Sequence, residues 1–201
     1  VAYPPAKTFG KDGSYYTDAT TFQIPDGVET VGHFSEKSPF ETLLVPASVK
    51  TLNEKHNIVK LKNLKYVYVD GGNAVYCDID GVLCNKAATT LLAFPQKHPV
   101  EGDPATYVVP ESVTYVESTA FNGADYIKVL DLNNVERVAT SAASNAYIEK
   151  IIIPACLLDI PSSSLTPKLS YEVDPANPAY FAQDDFLYER IYHDRENDYP
   201  K

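Results

Sequence analysis

Four oxygen-bearing side chains, Asp70, Asn73, Asp78 and Asp80, fall within one short stretch of the chain. Carboxylate and amide oxygens at this density are the ligand type of a hard cation such as calcium. The ordered spacing of a calcium loop is missing, however, and Asp, Asn and Gly are also the commonest turn formers. The cluster therefore reads as turn chemistry, with no metal site. The four histidines, His33, His56, His98 and His193, are scattered, with no pair spaced to share a metal. No G-x-S-x-G elbow, P-loop or dinucleotide glycine pattern is present. No cofactor is expected, and no catalytic residue is assigned.

One stretch argues the other way. Ala74-Val75-Tyr76-Cys77-Asp78-Ile79-Asp80-Gly81-Val82 resembles the first motif of the haloacid-dehalogenase-type phosphatases. That resemblance implies Asp78 as a nucleophile toward phosphorus and Asp80 as acid and base around magnesium. Such a fold alternates strands with amphipathic helices, and few stretches here sustain a 3.6-residue apolar period without Pro or Gly.

The elements that would have to position these residues follow a different rule. Short apolar runs ending in Pro recur as Phe22-Gln23-Ile24-Pro25, Leu43-Leu44-Val45-Pro46, Tyr107-Val108-Val109-Pro110 and Ile151-Ile152-Ile153-Pro154. Each is followed by two apolar anchors at three-residue spacing: Val28 and Val31, Val49 and Leu52, Val113 and Val116, Leu157 and Ile160. Pro25 and Pro46 are 21 residues apart, and Pro110 and Pro154 are 44 apart, two units of 22. Degenerate copies fill the gaps at Leu64–Asp70, Leu130–Val138 and Leu169–Asp174. Each unit offers a strand, a Pro that ends its hydrogen bonding and a tight turn or short 3₁₀ segment. One unit cannot bury its apolar side alone, so the units must stack, with their strands in a continuous parallel sheet along one face.

The acidic stretch is itself copied. Val69-Asp70-x-x-Asn73-x-x-Tyr76-x-x-x-Asp80-x-x-Leu83 recurs as Val173-Asp174-x-x-Asn177-x-x-Tyr180-x-x-x-Asp184-x-x-Leu187, displaced by 104. Asp78 falls on Ala182 and Gly81 on Asp185. A catalytic loop has no reason to be copied without its nucleophile, whereas a turn tolerates the change.

Three features then resemble the leucine-rich repeats of the BspA type, found on surface proteins of host-associated bacteria and some protists. Thr119-Ala120-Phe121-Asn122-Gly123, leading into Tyr126-Ile127-Lys128-Val129-Leu130, resembles the family's convex turn. The anchor segments after Pro25, Pro46, Pro110 and Pro154 resemble its strand exit. Asp80-Gly81-Val82-Leu83-Cys84-Asn85-Lys86, followed by Thr89-Thr90-Leu91-Leu92-Ala93-Phe94-Pro95, resembles an insertion common in these proteins, with Cys84 in place of the usual Tyr that Tyr188 keeps. The first two units lack the Ala-Phe turn, and Ser141-Ala142-Ala143-Ser144-Asn145 keeps only its Ala. The resemblance implies a leucine-rich-repeat solenoid of the right-handed β/α superhelix type. It would be β-rich, with parallel strands on a concave face, irregular or 3₁₀ connections on the convex side, and β-hairpin insertions whose arms are Val82–Cys84 and Leu91–Phe94. Residues 1–21 are expected to cap the first coil, 22–192 to form a single solenoid domain, and 193–201 to be an acidic tail.

Composition agrees with a packed, anionic module. The chain has 201 residues, 44% of them hydrophobic, and a net charge of −10. That field repels phosphate backbones, which argues against nucleic acid as a partner. No apolar run reaches the roughly 18 residues a membrane span needs. The chain starts at Val1 and contains no Met, so it is expected to be part of a longer translation product. Cys77, Cys84 and Cys156 are too few for a disulfide scaffold and read as structural thiols.

If the residues three and one before each Pro position point inward, the intervening ones form an exposed column. It contains Thr42 and Leu44, Tyr66 and Tyr68, Thr106 and Val108, Val129 and Asp131, Lys150 and Ile152, Ser170 and Glu172. Tyr66, Tyr68, Val129, Asp131, Lys150 and Glu172 are the candidate ligand-face residues, with the paired tyrosines the strongest because Tyr is enriched at binding hot spots. The expected function is a non-enzymatic module of a bacterial cell-surface or secreted protein, in the extracellular space or on the envelope. It would bind an extracellular protein or a glycan, in the host adhesion that the resemblance implies. The alternatives are a structural spacer and the phosphatase with Asp78 as nucleophile.

Overall fold

The computed structural model describes residues 20–53, 58–144 and 147–190, together with the backbone of two short strands, β1 (Thr8–Phe9) and β2 (Tyr15–Tyr16). The acidic segment 193–201 and two histidines, His56 and His193, lie outside the described residues. The remaining strands are β3 (Thr21–Gln23), β4 (Thr42–Val45), β5 (Tyr66–Val69), β6 (Tyr76–Ile79), β7 (Val82–Asn85), β8 (Thr90–Ala93), β9 (Thr106–Val108) and β10 (Tyr115–Val116). After these come β11 (Val129–Asp131), β12 (Arg137–Val138), β13 (Lys150–Ile153), β14 (Ser170–Val173), β15 (Tyr180–Gln183) and β16 (Phe186–Glu189).

All seven copies of the repeat, degenerate ones included, are strands, and within each of two runs neighbouring coils pair in parallel with the repeat in register. Leu43 lies beside Phe22 and Val67, and Ile151 lies beside Leu130 and Tyr171. After most of these strands the chain turns sharply, because the amide three residues past the Pro donates back to its carbonyl: Val28 to Pro25, Val49 to Pro46, Val113 to Pro110, Leu157 to Pro154. In the degenerate copy, where Asn133 holds the Pro position, the same bond starts one residue earlier, Val135 to Leu132. The anchors then return the chain inward. Leu43, Val45, Val67, Val109, Leu130, Ile151 and Ile153 are fully buried along one row, and Val49, Leu52, Val113, Val135 and Leu157 along the next. A further parallel row joins β8, β10 and β12.

The convex turns are more regular than their sequences. Thr119, Ser141 and Ser163 all adopt left-handed φ values near 61–62°, and the residues after them, Ala120, Ala142 and Ser164, are buried. Their amides and carbonyls bond from coil to coil: Thr119 N–H to Ser141 O, and Ala143 N–H to Ser164 O. Ser163-Ser164 is therefore a third copy of the convex turn, without Ala or Phe to advertise it. A 3₁₀ segment occurs at Ile58–Lys60.

One expectation is overturned. The strand face is not one continuous sheet: β3, β4 and β5 form one parallel run and β9, β11, β13 and β14 another, with no pairing between β5 and β9. The insertion lies between them. The two arms read from the sequence pair as β7 and β8, and a third strand, β6, joins them to make an antiparallel meander, β6-β7-β8. Its first turn caps the edge of β5, since Val67 N–H donates to Gly81 O at 2.9 Å and Val69 N–H to Asp78 Oδ1 at 2.7 Å. The interior is correspondingly divided. Tyr76, Leu83 and Ala93 pack into an N-terminal core, while Val82, Cys84, Leu91 and Phe94 pack into a C-terminal one. Alternation along a strand places successive side chains on opposite faces, so a meander with both faces apolar acts as a septum.

Candidate functional site

Three of the four oxygen-bearing side chains of the insertion, Asp70, Asn73 and Asp78, satisfy backbone groups. Asp70 Oδ1 accepts from Gly72 N–H at 2.8 Å. Asn73 is fully buried: its Nδ2 donates to Pro46 O and Val49 O, both at 2.9 Å, and its Oδ1 accepts from the amides of Val75 and Tyr76 at 2.9 and 2.8 Å. Both Asp78 oxygens accept amides, Oδ1 from Val69 and Oδ2 from Gly81. Asp80 and Gly81, with φ of 50° and 87°, are the two central residues of the β6–β7 turn, the pair of left-handed conformations that a two-residue hairpin demands. The arrangement is a bracket for the chain.

The second copy repeats the bracket. Asn177 Nδ2 donates to Pro154 O and Leu157 O, and its Oδ1 accepts from the Ala179 and Tyr180 amides. Tyr76 and Tyr180 accept equivalent bonds at their hydroxyls, from the amides of Leu52 and Ile160 at 3.1 and 3.0 Å. The 104-residue displacement carried this signal, but the partners of the two asparagines, on the preceding strand exits, could not be read from it.

The six ligand-face candidates separate into two patches, because the septum parts their sheets. On β5, Tyr66 and Tyr68 stack at 5.6 Å with rings 10° from parallel. Burial, then the neighbouring Tyr66, raises the Tyr68 hydroxyl above its usual pKa. Gly81 is what lets the turn approach: a Cβ there would lie 2.7 Å from Tyr66 Cδ1. His98 meets Tyr66 edge-on at 5.7 Å and is held by the Lys65 carbonyl 2.9 Å from its Nδ1. Desolvation lowers its pKa, and the carbonyl, which can only accept, places the ring proton on Nδ1.

The second patch is largely self-satisfied. Lys150 Nζ pairs with Glu172 Oε2 at 2.9 Å, and Asp131 Oδ1 accepts from Asn133 N–H at 2.8 Å. Val129 does not face solvent as the alternation rule requires. It is only 8% exposed, standing in register between Thr106 and Lys150, whose side chains share its face. Leu44 departs in the same way at 5%.

Where the two sheets part, a cleft of about 410 Å³ opens, lined by Lys65, Tyr66, Lys97, Pro99, Val100 and Tyr126. Its volume falls within the range of small-ligand sites. Tyr126 is 52% exposed. The Glu41 carboxylate, 2.8 Å from Lys65 Nζ, raises that ammonium's pKa. Among the described residues no carboxylate lines the cleft, in a chain whose net charge is −10. Sequence reasoning found Tyr66 alone of these six: Lys65 precedes β5 outside the exposed column, and the others sit in the return from the insertion and in the turn before β11.

The stacked coils, parallel strands and buried anchors match a solved structure, a leucine-rich repeat protein of Eubacterium ventriosum, with a TM-score of 0.56 at 21% identity over 77% of this chain and 43% of that one. The fold is that of a leucine-rich-repeat solenoid. Two other bacterial structures resemble the solenoid at lower scores. A leucine-rich cell surface protein of Faecalibacterium prausnitzii is 17% identical with a TM-score of 0.43, covering 79% of this chain and 61% of that one. The pneumococcal vaccine antigen PcpA is 19% identical with a TM-score of 0.46, covering 79% and 58%. The chain thus spans less than two thirds of the length of each. No family model and no curated protein matches it. Among the described residues, no helix of the solenoid is long and apolar enough to cross a membrane.

Proposed function

We propose that this solenoid is a non-enzymatic binding module of a bacterial surface or secreted protein, and that it holds an extracellular protein or glycan at the break in its strand face. The observation that carries the proposal is the cleft. Two tyrosines and a proline offer apolar faces there, and Lys97 offers a cation, in a lining that holds no carboxylate among the described residues of this acidic chain. Aromatic faces with a few convergent polar groups are the usual make-up of a recognition site. A non-enzymatic role is supported by Asp78, whose oxygens are both engaged by backbone amides. Residues 1–21 serve in this reading as the cap, 22–192 as one solenoid and 193–201 as an acidic tail.

The test is binding of the full chain to immobilised extracellular proteins and glycans, followed by Tyr66→Ala, Tyr126→Ala and Lys97→Ala. Each substitution is expected to weaken a detected interaction at least tenfold, while Lys150→Ala, in the self-satisfied patch, leaves it unchanged. Uniform indifference to all four, or no binding to any surface, would make the chain a spacer.

A further inference from the structure

Two of the three cysteines face each other across the first hairpin of the septum. Cys77 on β6 and Cys84 on β7 are direct cross-strand partners. The Lys86 amide donates to the Val75 carbonyl at 2.8 Å, which marks those residues as a hydrogen-bonded pair. Two residues inward along each strand, Cys77 and Cys84 form the next such pair. Cα atoms in hydrogen-bonded antiparallel pairs lie about 5.5 Å apart, inside the range of native disulfides, and the Cβ atoms must close from about 5.5 Å to about 3.5–4.5 Å for the bond to form.

Both side chains also lie on one side of the sheet. Cys84 is fully buried in the C-terminal core, and Cys77 packs against that same core. The second copy supplies an internal control. Phe181 and Tyr188, each 104 residues on, are again direct partners, and their rings stack at 5.2 Å. Side chains at this pair of positions meet.

We propose that Cys77 and Cys84 are a disulfide-forming pair that staples the septum when the folded protein meets a disulfide oxidant. Cys77, the less buried, encounters the oxidant first. Its thiolate attacks one sulfur of a small-molecule disulfide, forming a mixed disulfide and releasing one thiol. The Cys84 thiolate then attacks Cys77 Sγ, forming the protein disulfide and releasing the second thiol. The two cysteines lose two protons and two electrons, and the reagent gains them. The cost to the fold is the contact of Cys77 Sγ with the Asn85 carbonyl at 3.0 Å. Burial raises both thiols, Cys84 to about 12, so oxidation is slow at neutral pH and faster in mild alkali. Cys156 sits in the exit from β13, beyond the coils of β9 and β11, with its Sγ 3.4 Å from Val135 O, and takes no part.

The full chain, reduced and then held folded with oxidised glutathione at mildly alkaline pH, is to be unfolded and its thiols counted by alkylation and fragment mass. The expected result is three thiols before oxidation and one after, with a fragment linking Cys77 to Cys84. Cys156→Ser should lose two thiols in the same way, and Cys77→Ser should form no internal link. Oxidation should raise the Tm of the parent chain, reversibly with reductant, and leave Cys77→Ser unmoved. Three persisting thiols, a lasting glutathione adduct on Cys77 beside a free Cys84, or a link through Cys156 would each overturn the assignment.

Discussion

Replacing Asn73 by Ala removes four hydrogen bonds, two that fasten the septum to the preceding coil and two that shape its entry. Two amides, of Val75 and Tyr76, lose their acceptor, and the carbonyls of Pro46 and Val49 lose a donor, all around a side chain with no exposed surface. A net hydrogen bond contributes about 0.5–1.5 kcal/mol, and a buried group left unpaired costs about 1–3 kcal/mol. The expected loss is therefore about 4 kcal/mol, a large share of the roughly 5–15 kcal/mol that stabilises a domain. Asn177→Ala deletes the same four bonds, but from the last hairpin of the described chain, where Phe186 and Tyr188 are 65% and 44% exposed. Little packing depends on that hairpin, so the loss should appear as local opening, with faster amide exchange over 180–189 and a global change below about 2 kcal/mol. Urea unfolding followed by circular dichroism, paired with hydrogen exchange, measures both. A cost under about 1 kcal/mol for Asn73→Ala, or equal costs for the two variants, would refute the idea that the first insertion is a septum and the second a terminal flap.

Gly81→Ala should cost about 1–3 kcal/mol in denaturant unfolding, because φ is +87° and the added Cβ would displace Tyr66. The reverse change at the equivalent turn, Asp185→Gly at φ 67°, should stabilise by up to about 1 kcal/mol. His98 has a folded pKa depressed by burial, so the unfolded chain binds its proton first. Stability is then fully present above the unfolded value of about 6.5 and is lost as pH falls from there through the folded value; a Tm series between pH 8 and 5 should show this in the parent and a shallower slope in His98→Asn. Val82→Ser should cost about 2–4 kcal/mol at its fully buried site, whereas Phe186→Ser, its counterpart in the second copy, should stay within about 0.5 kcal/mol.

The repeat was legible because its physics is local. A strand, a Pro and two anchors at fixed spacing force the same inward pattern on every coil, and even Leu64–Asp70 and Leu169–Asp174, which lack the Pro, form β5 and β14. The convex turn at Ser163-Ser164 escaped notice because its requirement is a left-handed φ followed by a small buried residue, which serine meets without resembling Ala-Phe. Alternation failed at Val129 and Leu44 for a different reason: in a stacked sheet, exposure depends on the neighbours in register, which come from coils some twenty residues away. The cleft was out of reach altogether. Lys97, Pro99, Val100 and Tyr126 belong to no repeat position, and only the parting of two sheets brings them to Tyr66.

That parting follows from the energetics of the insertion. A strand inserted between coils must satisfy the open edge it creates, since unpaired edge amides invite other strands. Here the β6–β7 turn meets that need on β5 with one carbonyl, Gly81 O, and one carboxylate, Asp78. The motif that looked catalytic is thus spent on ending a sheet. Ending it there has a geometric consequence: β9 starts a new sheet without a partner on β5, and the surface between them is free to be concave. In the second copy Ala182 replaces Asp78, and Phe181 stacks on Tyr188 where the first copy has its two cysteines. If edge-capping is the reason for Asp78, then Asp78→Ala should destabilise the chain by about 1–2 kcal/mol and speed exchange of the Val69 amide, while Ala182→Asp should bring no matching loss in its exposed hairpin.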